Sequence, residues 1–203
     1  LAMLVMAILL HQSPWVEAQS SDFAGGSGTE DDPYEIATAA QLDKVRDHLD
    51  KHFVLTANID LSSYTNWDPI GDSSNPFTGT FDGNEHEISN LTINKPTTDY
   101  AGLFGVTDKD AEISNVKLKD VSITSNSYVG ALVGLNNGKI ENSSATGDVT
   151  GSWNYVGGLV GENVGSITNS YAAGDVTGRY CVGGLVGLND RGSITNSYAA
   201  GDV

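Results

Sequence analysis

Three aspartates with the spacing of a repeated site stand in the C-terminal half of the chain, at Asp148, Asp175 and Asp202. They are 27 residues apart (175−148 and 202−175), and each lies between a glycine and a valine. Carboxylates stacked on neighbouring strands repel one another unless a cation or an amide intervenes, and Ca²⁺ prefers such oxygen ligands. Gly-Asp is also a common turn sequence, and the nonapeptide motif of calcium-binding β-helices is absent. The pattern favours a repeated turn, keeps Ca²⁺ as the alternative, and assigns no metal or cofactor-binding residue.

Two groups of residues have part of the spacing of a zinc site. His48 and His52 are four residues apart in a segment with helical periodicity, which would place both imidazoles on one helix face as half of a metal site. His86 and Glu87 form the His-Glu pair of zinc peptidases, but the second histidine that such a helix needs is missing. We therefore interpret the first pair as exposed helix residues and the second as part of a polar turn.

Cys181 is the only cysteine, so the chain can form no internal disulfide. It occupies the repeat position that Tyr128 and Tyr155 occupy in earlier repeats, which predicts that it fills a half-buried aromatic position. No histidine lies near it in sequence, so nothing marks it as an activated nucleophile. The sequence therefore predicts no catalytic residue.

Tyr171 and Tyr198 are 27 residues apart (198−171), and we expect them to stack on the outer face of adjacent strands. Such a pair could meet a sugar ring, although aromatic cross-strand pairing alone explains it. A polysaccharide lyase or hydrolase would need non-repeating carboxylates or clustered basic residues on one face. The basic residues are instead scattered, and Lys139, Arg179 and Arg191 occupy predicted variable loops.

These side chains all depend on a sequence repeat. An Ile-x-Asn motif recurs at intervals of 27 (140−113, 167−140 and 194−167), at Ile113, Ile140, Ile167 and Ile194. A Gly/Ala-Leu-apolar-Gly motif precedes each copy, at residues 102–105, 131–134, 158–161 and 184–187. A fixed period in this range indicates stacked supersecondary units. Propeller blades need about 40–50 residues, and leucine-rich repeats need an L-x-x-L-x-L run that is absent.

The repeat predicts a strand that turns a corner. If Ile167, Ser170 and Ala172 all point inward, their spacing requires a bend at Asn169, and asparagine tolerates such backbone angles. Stacked coils would align the asparagines into an amide ladder, formed by Asn90, Asn115, Asn142, Asn169 and Asn196. With further strands near Leu159-Val160 and near Val176, the prediction is an all-β, right-handed parallel β-helix of about five coils. Alternation leaves open whether Leu159 or Val160 faces the core.

The N-terminal third predicts a cap and irregular first coils. Thr38 is a candidate N-cap, and Leu42, Val45 and Leu49 form the apolar stripe of a helix of about three turns that would cover the open end of the solenoid. A strand with alternating apolar residues follows at 53–61, and residues 66–69 are predicted to form a turn. The sequence at 88–90 repeats the Ile-x-Asn motif ahead of Ile113.

Charge and the first residues bear on location and partners. The chain has 26 acidic and 10 basic side chains and a net charge of −16, which argues against nucleic acid and anionic membranes as partners. Residues 1–18 resemble a signal peptide that lacks its charged start, so we expect an exported protein whose mature part does not insert into the membrane. The predicted organisation continues with a flexible lead-in (19–32), an N-terminal cap with the first coils (33–95) and about four repeats (96–203). The last repeat stops at Val203, so we expect the chain to continue beyond it.

The G-L-(apolar)-G motif followed by I-x-N-S-Y-A-x-G-x-V resembles the GLUG-motif repeats of prokaryotic secreted and cell-surface proteins. The resemblance covers about residues 100–203, and residues 26–95 are similar to the segment that precedes such repeats in many of these proteins. Ala131 replaces the first glycine of the second copy. The resemblance implies a β-helical extracellular stalk or adhesin-like region with no catalytic residues, which in relatives occurs beside other modules such as immunoglobulin A peptidases.

The sequence therefore predicts a non-catalytic structural or adhesive module of a larger secreted or cell-surface protein. Host or environmental glycans or proteins are the expected partners. The alternative is a carbohydrate-active β-helix, either a polysaccharide lyase or a glycan-binding module.

Overall fold

The computed structural model describes residues 22–203, and this part of the chain consists almost wholly of short strands. The predicted signal peptide and residues 19–21 of the lead-in lie outside it. One α-helix, α1 (Ala39–Lys44), continues into a 3₁₀ turn (Val45–Asp47). None of the helices within residues 22–203 is long and apolar enough to cross a membrane. The strands are β1 (Tyr34–Ile36), β2 (His52–Leu55), β3 (Ile59–Asp60), β4 (Thr80–Asp82), β5 (Glu87–Ser89), β6 (Thr92–Asn94), β7 (Phe104–Thr107), β8 (Glu112–Ser114), β9 (Lys117–Ser125), β10 (Val133–Asn136), β11 (Lys139–Glu141), β12 (Ser144–Gly151), β13 (Asn154–Gly157), β14 (Val160–Asn163), β15 (Ser166–Thr168), β16 (Tyr171–Ala173), β17 (Val176–Thr177), β18 (Tyr180–Gly183), β19 (Val186–Asn189), β20 (Ser193–Thr195) and β21 (Tyr198–Ala200).

The strands stack into a parallel β-helix. Sheet A has the order β1-β2-β4-β8-β11-β15-β20, and sheet B has the order β3-β5-β9-β12-β16-β21, with β6 beside β9 and β17 beside β12. Sheet C has the order β7-β10-β14-β19, and sheet D pairs β13 with β18. All ladders between these strands are parallel. The seven strands of sheet A correspond to about six turns, one more than the sequence predicts, because β1 and β2 precede the recognisable repeat.

The register in sheet A confirms the Ile column. Ile113, Ile140, Ile167 and Ile194 are aligned partners on successive strands, and the first three are fully buried. Burial of each such side chain stabilises the fold by about 1.5–3 kcal/mol. Leu159 and Val160 are both buried, so the question of parity does not arise: β14 begins at Val160, and Leu159 lies at the preceding corner.

The asparagine corner is also confirmed from Asn115 onward. Asn196 donates through Nδ2 to Oδ1 of Asn169 (3.3 Å), and Asn169 donates to Asn142 (3.2 Å). Asn115 donates one coil further to Oδ1 of Asp82 (2.9 Å). All four asparagines have φ between 50° and 55°, a left-handed conformation that asparagine adopts more readily than most residues. The corner therefore depends on asparagine for both its backbone angle and its amide.

The prediction of one column of five asparagines is wrong at its first member. The isoleucine of the motif at 88–90 pairs with Leu118 of β9, whereas Ile113 pairs with Phe81 of β4. Asn90 thus turns a different corner of the coil, at the end of a sheet B strand. The core partner of Ile113 is an aromatic residue that the motif does not contain.

A serine follows three of the four corner asparagines, Asn142, Asn169 and Asn196, and has a role of its own. Ser170 is buried, its Oγ accepts a hydrogen bond from the backbone N–H of Ser143 (3.1 Å), and it donates to the carbonyl of Thr168 (2.9 Å). Ser197 accepts in the same way from the N–H of Ser170 (3.1 Å). The hydroxyl fills the gap in the backbone ladder where the strand bends, which explains why a polar residue points inward here.

A second amide ladder, which the sequence pattern does not predict, runs inside the solenoid at the end of sheet C. Asn136 donates to Oδ1 of Asn163 (2.8 Å), and Asn163 donates to Asn189 (2.7 Å). Thr107 begins the ladder by donating to Asn136 (2.9 Å). Asn136 and Asn163 have no exposed surface. Buried amides of this kind must be fully hydrogen-bonded, so the ladder fixes how the coils stack.

The N-terminal end is capped by more than the helix. Thr38 caps α1, with Oγ1 accepting from the N–H of Gln41 (3.3 Å), and Leu42 and Val45 are buried as predicted. The helix is shorter than the predicted three turns, since α-geometry stops at Lys44.

The outer edge of β1 is covered by the preceding segment. Gly25 bridges to Glu35 in antiparallel fashion, with backbone bonds of 2.8 and 2.9 Å at this edge. Phe23 is 3% exposed and stacks on Tyr34, with ring centroids 4.4 Å apart. Within residues 22–32, part of the predicted lead-in, Phe23 and Gly28 are buried, and the backbone at Ala24 and Gly25 pairs the strand edge that would otherwise be open.

Trp67 corrects the prediction of a simple turn at residues 66–69. Its side chain is fully buried, and its Nε1–H donates to the backbone carbonyl of Leu103 (3.2 Å). Tyr64 packs against it at a ring-centroid distance of 5.3 Å. The segment therefore turns on the surface while holding one large side chain in the core, which turn propensities alone do not reveal.

Candidate functional site

The aspartate column lies on the outer surface of sheet B and the adjoining turns. The carboxylate of Asp148 accepts from the backbone N–H of Asp175 (3.4 Å), and Asp175 accepts from the N–H of Asp202 (3.2 Å). Backbone amides thus lie between successive carboxylates. Across the described chain, no three His, Cys, Asp or Glu side chains lie close enough together to hold a metal ion.

The histidines do not form the predicted pair. His48 follows the 3₁₀ turn, with Nε2 3.9 Å from a carboxylate oxygen of Asp22, whereas His52 lies in β2, with Nδ1 2.9 Å from Oγ1 of Thr80. The prediction that both lie on one helix is wrong because the helix ends before His48. His86 lies in the polar turn before β5, as predicted, with Nδ1 3.3 Å from Oδ1 of Asn58.

A column of tyrosines forms a second left-handed corner. Tyr100, Tyr128 and Tyr155 have φ of 62°, 56° and 59°. The rings of Tyr100 and Tyr128 stack with centroids 4.5 Å apart, and those of Tyr128 and Tyr155 meet edge to face at 4.9 Å. Cys181 continues the column with φ 50°, so it occupies the aromatic position as the sequence predicts, but it is exposed. Bulky side chains such as tyrosine rarely adopt this backbone conformation. The surrounding structure of the coil must therefore hold the corner in place.

This corner explains the second glycine of the G-L-V-G motif. A Cβ on Gly161 would lie 2.6 Å from the carbonyl carbon of Tyr128, and one on Gly187 would lie 2.6 Å from that of Tyr155. Real Cβ atoms do not approach backbone this closely, so only glycine fits. The motif thus records the contact between a sheet C strand and the tyrosine corner one coil earlier.

Glu162 is the one carboxylate in the four strands of sheet C. It is in register with Leu135 on one side and Leu188 on the other. Burial, and secondarily the charge of Asp190, raises the pKa of Glu162 above its ordinary value. Burial also raises the pKa of Tyr128, with smaller contributions from Tyr100 and Glu162. This face is therefore a partly apolar strip containing one carboxylate.

On the outer face of sheet B, Tyr171 and Tyr198 stack as predicted. Their ring centroids are 5.4 Å apart with an angle of 9° between the planes, and the residues are 36% and 61% exposed. Tyr171 also borders a shallow depression of about 270 Å³, whose lining includes two hydroxyl residues, two lysines and two carboxylates: Ser144, Thr146, Lys117, Lys119, Glu87 and Asp120. A flat aromatic surface beside hydroxyl and ammonium groups suits a ligand with an apolar face and a polar edge.

A third aromatic group lies where sheet B turns into sheet D, and the sequence analysis missed it. Trp153 and Tyr180 are 42% and 48% exposed, with ring centroids 5.3 Å apart at an angle of 79°. The guanidinium carbon of Arg179 lies 4.4 Å from the Trp153 centroid and 5.1 Å from that of Tyr180. The signal available in sequence was the recurrence of an aromatic residue in the same loop of two successive repeats.

The remaining basic side chains have carboxylate partners. The prediction that Lys139 lies in a loop is wrong, because this residue begins β11. Its ammonium lies 3.1 Å from a carboxylate oxygen of Glu112 and 2.8 Å from one of Glu141. These hydrogen bonds, first that of Glu141 and then that of Glu112, raise the pKa of Lys139. Arg191 lies 3.7 Å from Asp190.

The repeat matches a known family model. Three consecutive segments match the GLUG motif, at residues 125–150, 154–177 and 178–203. Each segment spans about one coil and contains one of the motifs at 131–134, 158–161 and 184–187.

Two curated relatives cover the same share of this chain. A protein of Evansella cellulosilytica described as a "Putative Gly-rich membrane protein" is 44% identical over 138 residues, which is 63% of this chain and 16% of that protein. Halomucin of Haloquadratum walsbyi is 40% identical over 139 residues, which is 63% of this chain and 2% of halomucin. The chain therefore spans a small part of the length of the curated relatives it matches.

A solved structure shares the fold. The crystal structure of a "putative immunoglobulin A1 protease" from Bacteroides ovatus aligns with a TM-score of 0.66 and 24% identity, over 89% of this chain and 69% of that one. At this identity the likeness is one of fold. The 27-residue register, the glycine contacts that the motif encodes and the three matched segments identify the C-terminal part of this chain, from residue 125, as GLUG-motif repeats.

Proposed function

We propose that this chain is a non-catalytic structural and adhesive module of a longer, exported protein of the cell surface. The observation that carries the proposal is the Tyr171–Tyr198 pair, two exposed rings held parallel on the outer face of a fully hydrogen-bonded solenoid. Relatives described as a membrane protein and as halomucin are much longer than this chain, which supports a modular role.

The structural half of the role rests on the two amide ladders and the serine column. These bonds repeat at each coil along the axis, so adding coils extends the solenoid without changing its cross-section. A protein built in this way can hold a surface at a fixed distance from its anchor.

The adhesive half rests on the placement of aromatic rings. Tyr171 and Tyr198 pair in register on β16 and β21, so their rings lose little conformational freedom when a ligand binds. Stacked rings offer an apolar surface about the size of a sugar, with the hydroxyls of Ser144 and Thr146 beside it. A surface glycan is the partner that this arrangement fits.

The test is a glycan array probed with the wild-type chain and with the Tyr171→Ala and Tyr198→Ala variants. We expect binding to at least one glycan class and a loss of about tenfold or more in each variant, as for an aromatic residue at the centre of an interface. Thr168→Ala, on the outer side of β15 in sheet A, is the matched control and should bind normally. Absence of glycan binding by the wild-type chain would contradict the adhesive role.

A further inference from the structure

Arg179 differs from every other basic side chain of the protein. All ten lysines and arginines lie within residues 22–203, and nine of them have a carboxylate oxygen within 4.0 Å. Arg179 is the exception in this part of the chain, although 26 acidic residues outnumber the basic ones. The N–H donors of this guanidinium are therefore available for charge-assisted hydrogen bonds to a ligand.

The aromatic rings hold Arg179 in place while leaving its donors free. Its guanidinium carbon is 4.4 Å from the ring centroid of Trp153 and 5.1 Å from that of Tyr180. A guanidinium over an aromatic face is stabilised by the ring, and its N–H groups point outward in the plane of the group. The backbone N–H groups of Arg179 and Tyr180 donate to the carbonyl of Trp153, at 3.3 and 3.1 Å, which fixes the three side chains relative to one another.

We propose that Trp153, Arg179 and Tyr180 form a binding site for a hexuronate residue of an acidic polysaccharide. The proposal goes beyond the adhesive role proposed above, because it adds a second site, on another face of the solenoid, with its own ligand class. The exposed ring of Tyr180 or Trp153 contacts the apolar C–H face of the sugar, and the guanidinium donates two N–H groups to the carboxylate in a bidentate pair. In a hexuronate the carboxylate is attached directly to the sugar ring, so a sugar stacked on one ring presents it to the neighbouring guanidinium.

The same three residue types argue for a binding role of this group. Trp, Tyr and Arg are the residues in which binding energy concentrates at interfaces. Elsewhere in the described chain the comparable pair, Arg46 over the buried Trp67, also has an ion pair with Asp43 at 2.5 Å and serves the core. Salt screens the repulsion between an acidic ligand and those of the protein's negative charges that lie more than about 8 Å away at physiological ionic strength.

The experiment measures binding of a fluorescently labelled oligogalacturonate, its methyl ester and poly-L-glutamate to the 203-residue chain. The variants are Arg179→Gln and Trp153→Ala, and Arg191→Gln is the matched control because it removes the same charge from an exposed loop. Thermal melting verifies that each variant is folded. A binding-deficient variant that also melts early is replaced by Arg179→Lys, which keeps the charge and removes the bidentate geometry.

We expect oligogalacturonate to bind the wild-type chain, and Arg179→Gln and Trp153→Ala to weaken it by about tenfold or more, as loss of a charge-assisted contact does. Arg191→Gln should leave binding unchanged, and the methyl ester and poly-L-glutamate should bind more weakly. Failure of the wild-type chain to bind oligogalacturonate, equal binding of the ester, or an equal effect of Arg191→Gln would overturn the proposal. Arg179-dependent binding of poly-L-glutamate at equal strength would also overturn it, in favour of an acidic peptide partner. If these results occur while the glycan array shows another ligand, the hexuronate site fails and the adhesive role stands.

Discussion

Asparagine is the residue on which this repeat depends, and it is used in two ways. At the outer corner, Asn142, Asn169 and Asn196 combine a left-handed backbone with an amide ladder. Inside sheet C, Asn136 and Asn163 form a buried ladder from regular strand positions. The first use could be predicted because a change of inward parity requires a bend. The second use could not be predicted. Because loop lengths vary, the sequence does not show whether a polar residue in a strand points into the core or out to solvent.

The two ladders should differ in their energetic importance. Asn163→Ala removes the acceptor of one N–H of the buried Asn136 amide, which keeps only its bond to the carbonyl of Gly138, and it removes the side-chain donor to Oδ1 of Asn189. A buried group left with an unmet hydrogen bond costs about 1–3 kcal/mol. Asn169→Gly removes the outer amide without straining the left-handed backbone, so it should cost less than about 1.5 kcal/mol. Chemical denaturation followed by circular dichroism measures both. A larger loss of stability in Asn169→Gly would contradict the assignment of the inner ladder as the main constraint.

Glu162 predicts a pH dependence of stability. Burial and the charge of Asp190 raise the pKa of Glu162 in the folded state above the ordinary value of 4.5. A raised folded-state pKa contributes stability below the unfolded-state value, and that stability is lost as pH rises through the folded-state value. Glu162→Gln cannot ionise, so it should melt at a higher temperature than wild type at pH 7, and the difference should vanish below about pH 4.

The control for this prediction is Glu30→Gln, which removes an equal charge from an exposed position in the N-terminal segment. Its melting temperature relative to wild type should change little over the same pH range. If Glu162→Gln melts at or below the wild-type temperature at pH 7, the carboxylate is stabilised by its surroundings and the direction given for its pKa is wrong.

At the scale of elements, the second glycine of the family motif is required by one contact between successive coils. The second glycine of G-L-V-G lies against the tyrosine corner of the preceding coil, while the leucine and the apolar residue between the glycines, such as Leu159 and Val160, are buried in the core. The first motif glycine is replaced by Ala131 in one coil, where the side chain is accommodated without exposure. The spacing of the motif could be read from the sequence, whereas the reason for its second glycine required the stacked coils.

Gly161→Ala tests this contact. The added Cβ would meet the backbone of Tyr128 at 2.6 Å, and backbone in a packed corner cannot move cheaply. We expect a loss of stability of about 1–3 kcal/mol, as for other overpacked sites. Gly25→Ala is the control, because its Cβ would meet only the flexible carboxylate end of Glu35. Equal melting temperatures for Gly161→Ala and wild type would show that the corner is not tightly packed.

The elements of the first coils show the limit of reading a repeat from sequence. The strand at 53–61 was predicted as one piece, but it bends between β2 and β3 to follow the coil. In the same region, aromatic residues such as Phe53, Phe77 and Phe81 fill the core in place of the later isoleucines. Without a fixed period, neither the bend nor the partner strands can be located from local patterns. From Ile113 onward the 27-residue period determines both.

At the scale of the whole molecule, the exposed features lie on different faces of one solenoid. The tyrosine pair lies on sheet B, the Trp153–Arg179–Tyr180 group at the turn into sheet D, and Glu162 on sheet C. The fold as a parallel β-helix followed from the repeat alone. The Trp153 group did not, because its residues come from two coils and only stacking brings them together. A chain that presents several small sites on a stiff axis can engage a long polymer at more than one point.

The central claim is that this solenoid holds a glycan without cleaving it. The most direct measurement is size-exclusion chromatography with light scattering of polygalacturonate after prolonged incubation with the chain. We predict that the polymer co-elutes with the chain and keeps its mass, and that no new chain ends are formed. A fall in polymer mass that depends on the chain would contradict the claim and establish a polysaccharide lyase or hydrolase instead.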